Sequence, residues 1–163
     1  MSVDAGTEEA RHNEALGLPA GVRLAAMWRR ILAQVLDQLI VIVPVVAVAL
    51  LLGVRTSAGL TDHQFAINVA VVLCAFTYEF AMIAIWGRTV GKFALGTRVV
   101  RVDTGGPLLW WSSAIRALVP LAAGVIPGVG MFLSLVVYSS AFFDRRHQGW
   151  HDRAAGTVVV DAR

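Results

Sequence analysis

The chain has 163 residues, of which 57% are apolar and 15% charged, and its mean hydropathy is +0.68. A soluble domain is usually about 45–50% apolar even with glycine counted, so the composition excludes an ordinary soluble domain of this length. The net charge of +3 comes from basic groups beside long apolar runs, which is typical of membrane-protein loops and argues against a nucleic-acid-binding surface.

Residues 1–22 differ in kind from the rest of the chain. They carry four acidic side chains and no apolar run, so we expect a disordered cytoplasmic tail before a membrane domain at 23–163. A cleaved signal peptide is not expected, because the basic residues and the first apolar run come too late.

Two long apolar segments follow the tail. Ile31–Val54 has Asp37 as its one charge, and 24 helical residues would span roughly 36 Å. This predicts a membrane helix over about 30–54, which Pro44 could kink. The second segment has Glu79 as its one charge and predicts a helix over about 65–86.

The next segment is basic and then β-branched. The sequence TRVVRVD predicts a strand at about 97–103, and the similar GTVVVDAR predicts another at about 156–161. We expect the two to pair as a small ribbon that leans on the helices or on the membrane face, because an isolated two-stranded ribbon is only marginally stable.

Leu108–Phe143 is apolar apart from Arg116, and GVIPGVG interrupts it at Gly124–Gly130. It is either one long kinked helix or a hairpin of two short helices. Basic residues flank it and the N-terminal helix on what should be the cytoplasmic side, and the two strands must share a side, so we favour a hairpin over about 108–123 and 128–143. Each half would span roughly 24 Å, so a re-entrant hairpin is the alternative.

The predicted fold is therefore an all-α membrane protein. It has about four transmembrane or re-entrant helices, both termini in the cytoplasm, and a small cytoplasmic two-stranded ribbon.

Three ionisable side chains fall in one layer near the cytoplasmic edge. Asp37 is seven residues beyond Arg30, Glu79 is seven residues before Trp86, and Arg116 is five residues beyond Trp111. Each charge alone in lipid would cost about 2.5–3.5 kcal/mol, so we expect Arg116 to hold one of the carboxylates. The group is either a polar knot that fixes helix packing or an ion or proton site, and the residues leave both open.

The stretch GRTVGK at 87–92 is not a phosphate-binding loop, because three residues rather than four separate its glycines and no Ser or Thr follows Lys92. We interpret Gly87, Thr89, Gly91 and Lys92 as a tight turn after the second helix, with Lys92 and Arg88 on lipid phosphates. His151 is assigned to the same class of headgroup or turn contacts.

No metal site, cofactor or catalytic constellation is predicted. His147 and His151 have the spacing of a helical metal site, but Gly149 lies between them and argues against a helix. Asp152 is expected to cap a turn or to pair with a basic residue such as Arg30. The sequence therefore favours a protein that is not an enzyme.

Together these motifs resemble the RDD family of bacterial membrane proteins. Arg30 and Asp37 match the Arg and first Asp of the family motif, and Asp152 matches the second Asp within HDRAAGT. The stretch from Gly87 to Lys92 looks like the family's G-x-T-x-G-K pattern, and the resemblance covers about Leu24–Val160.

The resemblance implies a multi-pass protein of the bacterial inner membrane with a transport-related role, sodium–proton exchange being among the activities described for members. In that reading Asp37 binds the proton or cation, Arg30, Glu79 and Arg116 tune it, and Asp152 closes the cytoplasmic side. The alternative is a non-transporting accessory or scaffold subunit. Expected partners are membrane lipids and either further copies of the chain or other membrane proteins, with no nucleic acid.

Overall fold

The computed structural model describes residues 5–19, 21–53, 60–124, 126 and 129–162. Most of these residues are helical. In chain order the elements are α1 (Ala5–Ala15), α2 (Met27–Leu51), α3 (Leu60–Trp86), α4 (Val90–Ala94), β1 (Thr97–Arg101), α5 (Trp110–Gly124), α6 (Gly130–Ser139), a 3₁₀ turn (Ser140–Phe143), α7 (Trp150–Ala155) and β2 (Thr157–Asp161). The predicted combination of a mostly helical chain with a small sheet is confirmed.

Two helices among the described residues are long and apolar enough to cross a membrane. They are Met27–Leu51 and Ala66–Trp86, with mean hydropathies of 2.3 and 2.0. The first runs continuously through Pro44. Large apolar side chains such as Leu39 and Val43 are more than half exposed on it, as expected for a surface that faces lipid rather than water.

The apolar segment after the first strand is divided between α5 and α6, which pack against each other. The Ser134 hydroxyl on α6 donates to the Pro120 carbonyl on α5 at 3.2 Å. The helices have 15 and 10 residues, so the segment is not one long helix. The number of membrane crossings and their direction stay predictions. Gly128, the predicted start of the second half of the hairpin, lies outside the described residues.

The two strands pair antiparallel, as predicted from their similar sequences. Thr97 lies opposite Asp161, and Arg101 lies opposite Thr157. The first strand ends at Arg101 rather than at 103. We call this sheet the ribbon.

Both faces of the ribbon are covered. Val99 and Val159 pack with Ile83 of α3 on one face, while Val100 and Val158 belong to a separate apolar cluster on the other. This follows from the alternation of side chains along a strand. The ribbon is thus held between the membrane helices and the N-terminal segment.

The N-terminal segment differs from the predicted disordered tail. It contains α1, and the following Leu16 and Leu18 are buried against the outer face of the ribbon. The Asn13 side chain donates to the Val22 carbonyl at 2.9 Å and closes the turn between them. The physical reason is that the outer face of the ribbon carries valines, which Leu16 and Leu18 remove from water.

Candidate functional site

Asp37 points into the protein because it lies on the buried face of α2. The buried residues of this helix are Arg29, Ala33, Asp37 and Val41, each four positions after the last. Residues four apart share one helix face. The carboxylate therefore meets protein atoms, while the neighbouring apolar side chains of α2 point outward.

The Asp37 carboxylate is held by four donors, and we call these five residues the Asp37 cluster. Its Oδ1 accepts from the Tyr78 hydroxyl at 2.7 Å and from the Gly91 backbone N–H at 2.8 Å. Its Oδ2 accepts from the Thr89 hydroxyl at 2.5 Å, and the Lys92 ammonium lies 3.4 Å away. Two carboxylate oxygens offer about four acceptor sites, so these contacts saturate the group.

The backbone between α3 and α4 brings these donors together. Gly87 adopts a positive φ of 69°, which glycine tolerates at no steric cost, and so ends α3 in a sharp turn. Thr89 then caps α4, its hydroxyl accepting from the Lys92 backbone N–H at 3.4 Å. At Gly91 the backbone passes so close to α2 that an added Cβ would lie 2.2 Å from the Ala33 carbonyl oxygen.

A second group of charges surrounds Arg116, which is 2% exposed. Its Nη1 pairs with Asp152 and donates to the Thr157 hydroxyl at 3.3 Å. Its Nε lies 3.5 Å from Oε1 of Glu79, whose Oε2 accepts from the Tyr138 hydroxyl at 3.4 Å. We call these five residues the Arg116 cluster. It joins α3, α5, α6, α7 and the ribbon.

Asp152 also fixes the start of α7. Its Oδ2 accepts from the Gly149 backbone N–H at 3.2 Å, which is the turn-capping role predicted for it. The neighbouring His151 is buried, with its ring 4.8 Å from the Tyr138 ring. Burial lowers the pKa of His151 well below its usual value, and the positive charge of Arg116 acts in the same direction. His151 is therefore neutral at pH 7.

Arg30 contacts neither Asp37, which the family resemblance led us to expect it to tune, nor Asp152, its suggested partner. Its guanidinium donates to the His147 carbonyl and, at 2.5 Å, to the Val159 carbonyl. It thus ties α2 to the ribbon and to the loop before α7. The reason is that backbone carbonyls of the ribbon lie closer to this face of α2 than either carboxylate does.

A sequence model of the RDD family matches residues 24–156. This is most of the chain, and it includes Arg30, the Asp37 cluster and every member of the Arg116 cluster except Thr157. The chain belongs to the RDD family. Family membership and the two long apolar helices indicate a membrane protein. Comparison with curated proteins and with solved structures found no match.

The three residues of the RDD motif do not meet in one site. Asp37 lies in its own cluster, Asp152 in the Arg116 cluster, and Arg30 on backbone carbonyls. What they share is that each joins one helix to a neighbouring element. Asp37, Glu79 and Arg116 divide between two clusters, because Lys92 pairs with Asp37 and Arg116 pairs with Glu79. Their shared depth near the cytoplasmic edge stays a prediction.

Two residues assigned to lipid headgroups are buried in this RDD protein. Lys92 is 5% exposed and pairs with Asp37, and His151 is 3% exposed. A buried carboxylate needs a counter-charge, which explains why Lys92 turns inward. Arg88 does lie near the surface, with its guanidinium 4.4 Å from the centre of the exposed Phe93 ring.

Sequence reasoning missed two contributors to these contacts. Tyr78 donates to Asp37, and Arg29 pairs with Asp161 at 2.7 Å while also donating to the Gly96 carbonyl at 3.1 Å. The signal for Arg29 was available, since it lies eight residues before Asp37 on the same helix face. Among the described residues, no group of three or more His, Cys, Asp or Glu could hold a metal ion.

Proposed function

We propose that this RDD protein is a non-transporting accessory subunit that binds other proteins in the membrane. The observation that carries the proposal is the saturation of Asp37 by Tyr78, Thr89, Gly91 and Lys92. A carboxylate that carries a proton or cation needs an acceptor position open to that ion, and four protein donors already fill these positions.

The balance of the buried charges supports the same reading. The charged side chains that make the contacts described above are Arg29, Arg30, Lys92 and Arg116 on one side and Asp37, Glu79, Asp152 and Asp161 on the other, which is four positive and four negative charges. Removing one partner of a buried ion pair destabilises the folded protein by about 3–5 kcal/mol, because the other charge is left buried without a counter-charge. Such a set suits a scaffold whose helices must keep one arrangement.

The proposal includes a location and a surface. The protein lies in a bacterial inner membrane with both termini in the cytoplasm, as the basic loops predict. The exposed apolar faces of α2 and α3 contact lipid and the helices of a partner, either another copy or a different membrane protein. No enzymatic step and no nucleic acid belong to this role.

One observation favours a second candidate function, proton or cation handling through Glu79 rather than Asp37. Glu79 Oε1 is buried and accepts no hydrogen bond among the described residues, although the Arg116 guanidinium is 3.5 Å away. An oxygen with an unused acceptor position is the site at which a proton would bind. Intramembrane carboxylates are common in ion pathways.

The test is a proton and sodium flux assay in liposomes with the wild-type protein and Glu79→Gln at equal protein levels. The accessory role predicts that wild-type flux equals that of protein-free liposomes. It also predicts that the tagged chain, purified in mild detergent, retains another membrane protein at a fixed ratio, whereas an unrelated tagged multi-pass protein does not. Wild-type flux that Glu79→Gln removes would contradict the accessory role and support the second candidate.

A further inference from the structure

An open cleft of about 520 Å³ lies on the side of the ribbon that faces α1. Its walls come from the end of α1, the loop at 144–148 and the junction of α7 with β2. The polar side chains that line it are Asp144, Arg145, Arg146, Gln148 and Arg153. We call it the arginine cleft. Neither charge cluster opens into it.

The arginine cleft has an excess of positive charge. In the part of the chain that the structure describes, the side chains of Arg145, Arg146 and Arg153 form no ion pair. Asp144 is the one carboxylate among the residues that line the cleft, and its Oδ2 accepts hydrogen bonds from the backbone N–H groups of Arg146 and Gln148, each at 3.0 Å. Three guanidinium groups therefore face one carboxylate that is already engaged.

The loop that presents two of these arginines is fixed by the fold. His147 adopts a positive φ of 53° and its carbonyl accepts from Arg30. The Gln148 side chain donates to the Thr157 carbonyl at 2.7 Å. A loop held in this way loses little conformational freedom when it binds a ligand. The family-motif residue Arg30 thus also positions the arginine cleft.

Aromatic side chains place the cleft close to a membrane surface. Phe142 and Phe143 immediately precede Asp144 and are 55% and 93% exposed, and Trp150 is 56% exposed. Exposed aromatic residues are typical of the boundary between lipid and water. Arg145, two residues after Phe143, would then lie at the level of the lipid phosphates.

We propose that the arginine cleft binds an anionic phosphate group. Guanidinium groups match phosphate oxygens with paired hydrogen bonds, and three of them around one cleft can hold a single phosphate from several directions. The phosphate belongs either to an anionic lipid or to a soluble phosphate compound. This site is separate from the proposed function and does not depend on it.

The experiment uses the full chain in detergent with two probes. In the first arm, native mass spectrometry measures retention of phosphatidylglycerol from an equimolar mixture with phosphatidylcholine. In the second arm, inorganic phosphate is titrated and the melting temperature of the protein is measured. Inorganic phosphate is also added to the first arm as a competitor of the lipid. The test variant is Arg145→Gln with Arg153→Gln, two exposed positions.

The matched control is Arg98→Gln with Arg101→Gln, which removes the same charge from the ribbon outside the cleft. If the phosphate is a lipid's, the cleft variant retains phosphatidylglycerol about tenfold less well than wild type, the control does not, and inorganic phosphate does not compete. If it is soluble, inorganic phosphate stabilises wild type and the control but not the cleft variant, and it displaces the lipid.

Equal losses in the two double variants would overturn the proposal, because they would show a general effect of net charge. Absence of both phosphatidylglycerol preference and phosphate stabilisation in wild type would also overturn it. If the double variant does not fold, Arg153→Gln alone still tests the proposal, because this side chain is exposed and makes no hydrogen bond among the described residues. It should weaken binding by a smaller factor in the same arm.

Discussion

Replacing Gly91 by alanine should open the contact between α2 and α4. The added Cβ would lie 2.2 Å from the Ala33 carbonyl oxygen and 2.9 Å from Asp37 Oδ1. Moving it to about 3.0 Å from the carbonyl needs a shift of about 0.8 Å in α4, which would stretch the 2.8 Å bond from the Gly91 N–H to Asp37 to about 3.6 Å. At that distance it is no longer a hydrogen bond.

The expected cost of Gly91→Ala has two parts. Overpacking costs about 1–3 kcal/mol, and loss of a donor to a buried carboxylate costs about 1–3 kcal/mol more. The total of about 2–6 kcal/mol should lower the melting temperature by about 5–20 °C for a chain of this size. Thermal unfolding in detergent, followed by tryptophan fluorescence, measures the change.

Gly106→Ala is the matched control. Its φ is not positive, and its added Cβ would meet the Thr104 hydroxyl at an ordinary 3.4 Å. It should change the melting temperature by no more than about 2 °C. Equal melting temperatures for the two alanine variants would refute the close approach of α4 to α2 and, with it, the arrangement of the Asp37 cluster.

Three further predictions concern buried ionisable side chains, and a fourth concerns topology. Lys92→Met leaves Asp37 without its counter-charge and should cost about 3 kcal/mol in thermal unfolding; adding Asp37→Asn should recover part of this loss. Asp37→Asn alone should destabilise more than Glu79→Gln, by about 2 kcal/mol, because its amide NH₂ would face donors that now bind an oxygen; equal melting of the two would contradict saturation at Asp37. Because the pKa of His151 is lowered, the unfolded chain takes up a proton first, so stability should be constant above the ordinary value of 6.5 and fall below it; His151→Gln should flatten this dependence, and an unchanged slope would assign it to other groups. Reporters fused after residue 105 and at the C-terminus should both read cytoplasmic, and a periplasmic signal at the C-terminus would favour three spans.

The sequence predicted those features that depend on local pattern. The valine-rich strands after Gly96-Thr97 and Gly156-Thr157 pair in the structure, and the two long apolar segments are helices. Each of these can be read from a short window because strand alternation and apolar length are local properties.

The pairing of the charges could not be read in the same way. Spacing along α2 fixes the face and depth of Asp37, but the partner depends on the turn at Gly87, which brings Lys92 back to that face. The sequence led us to expect that Arg116 holds one of the two carboxylates, and in the structure this carboxylate is that of Glu79, with Asp152 as a second partner.

The prediction for the N-terminal segment differs from the structure for a related reason. Leu16 and Leu18 look like isolated apolar residues in a polar tail, yet they cover the outer face of the ribbon, whose strands begin at Thr97 and Thr157. A contact across so many residues leaves no periodic signal in the segment itself. The need for this contact becomes visible only once the two strands are paired, because the valines on the outer face of the ribbon would otherwise be exposed to water.

The order of the two charge clusters along the chain has a consequence for biogenesis. Every member of the Asp37 cluster lies before Leu95, so the first two long helices can lock together while the rest of the chain is still being synthesised. The Arg116 cluster needs Thr157, and the ribbon needs the last strand, so both must wait for the α5–α6 hairpin. We therefore expect assembly in two stages, in which the contacts of the first two long helices form before the second half of the chain closes onto them.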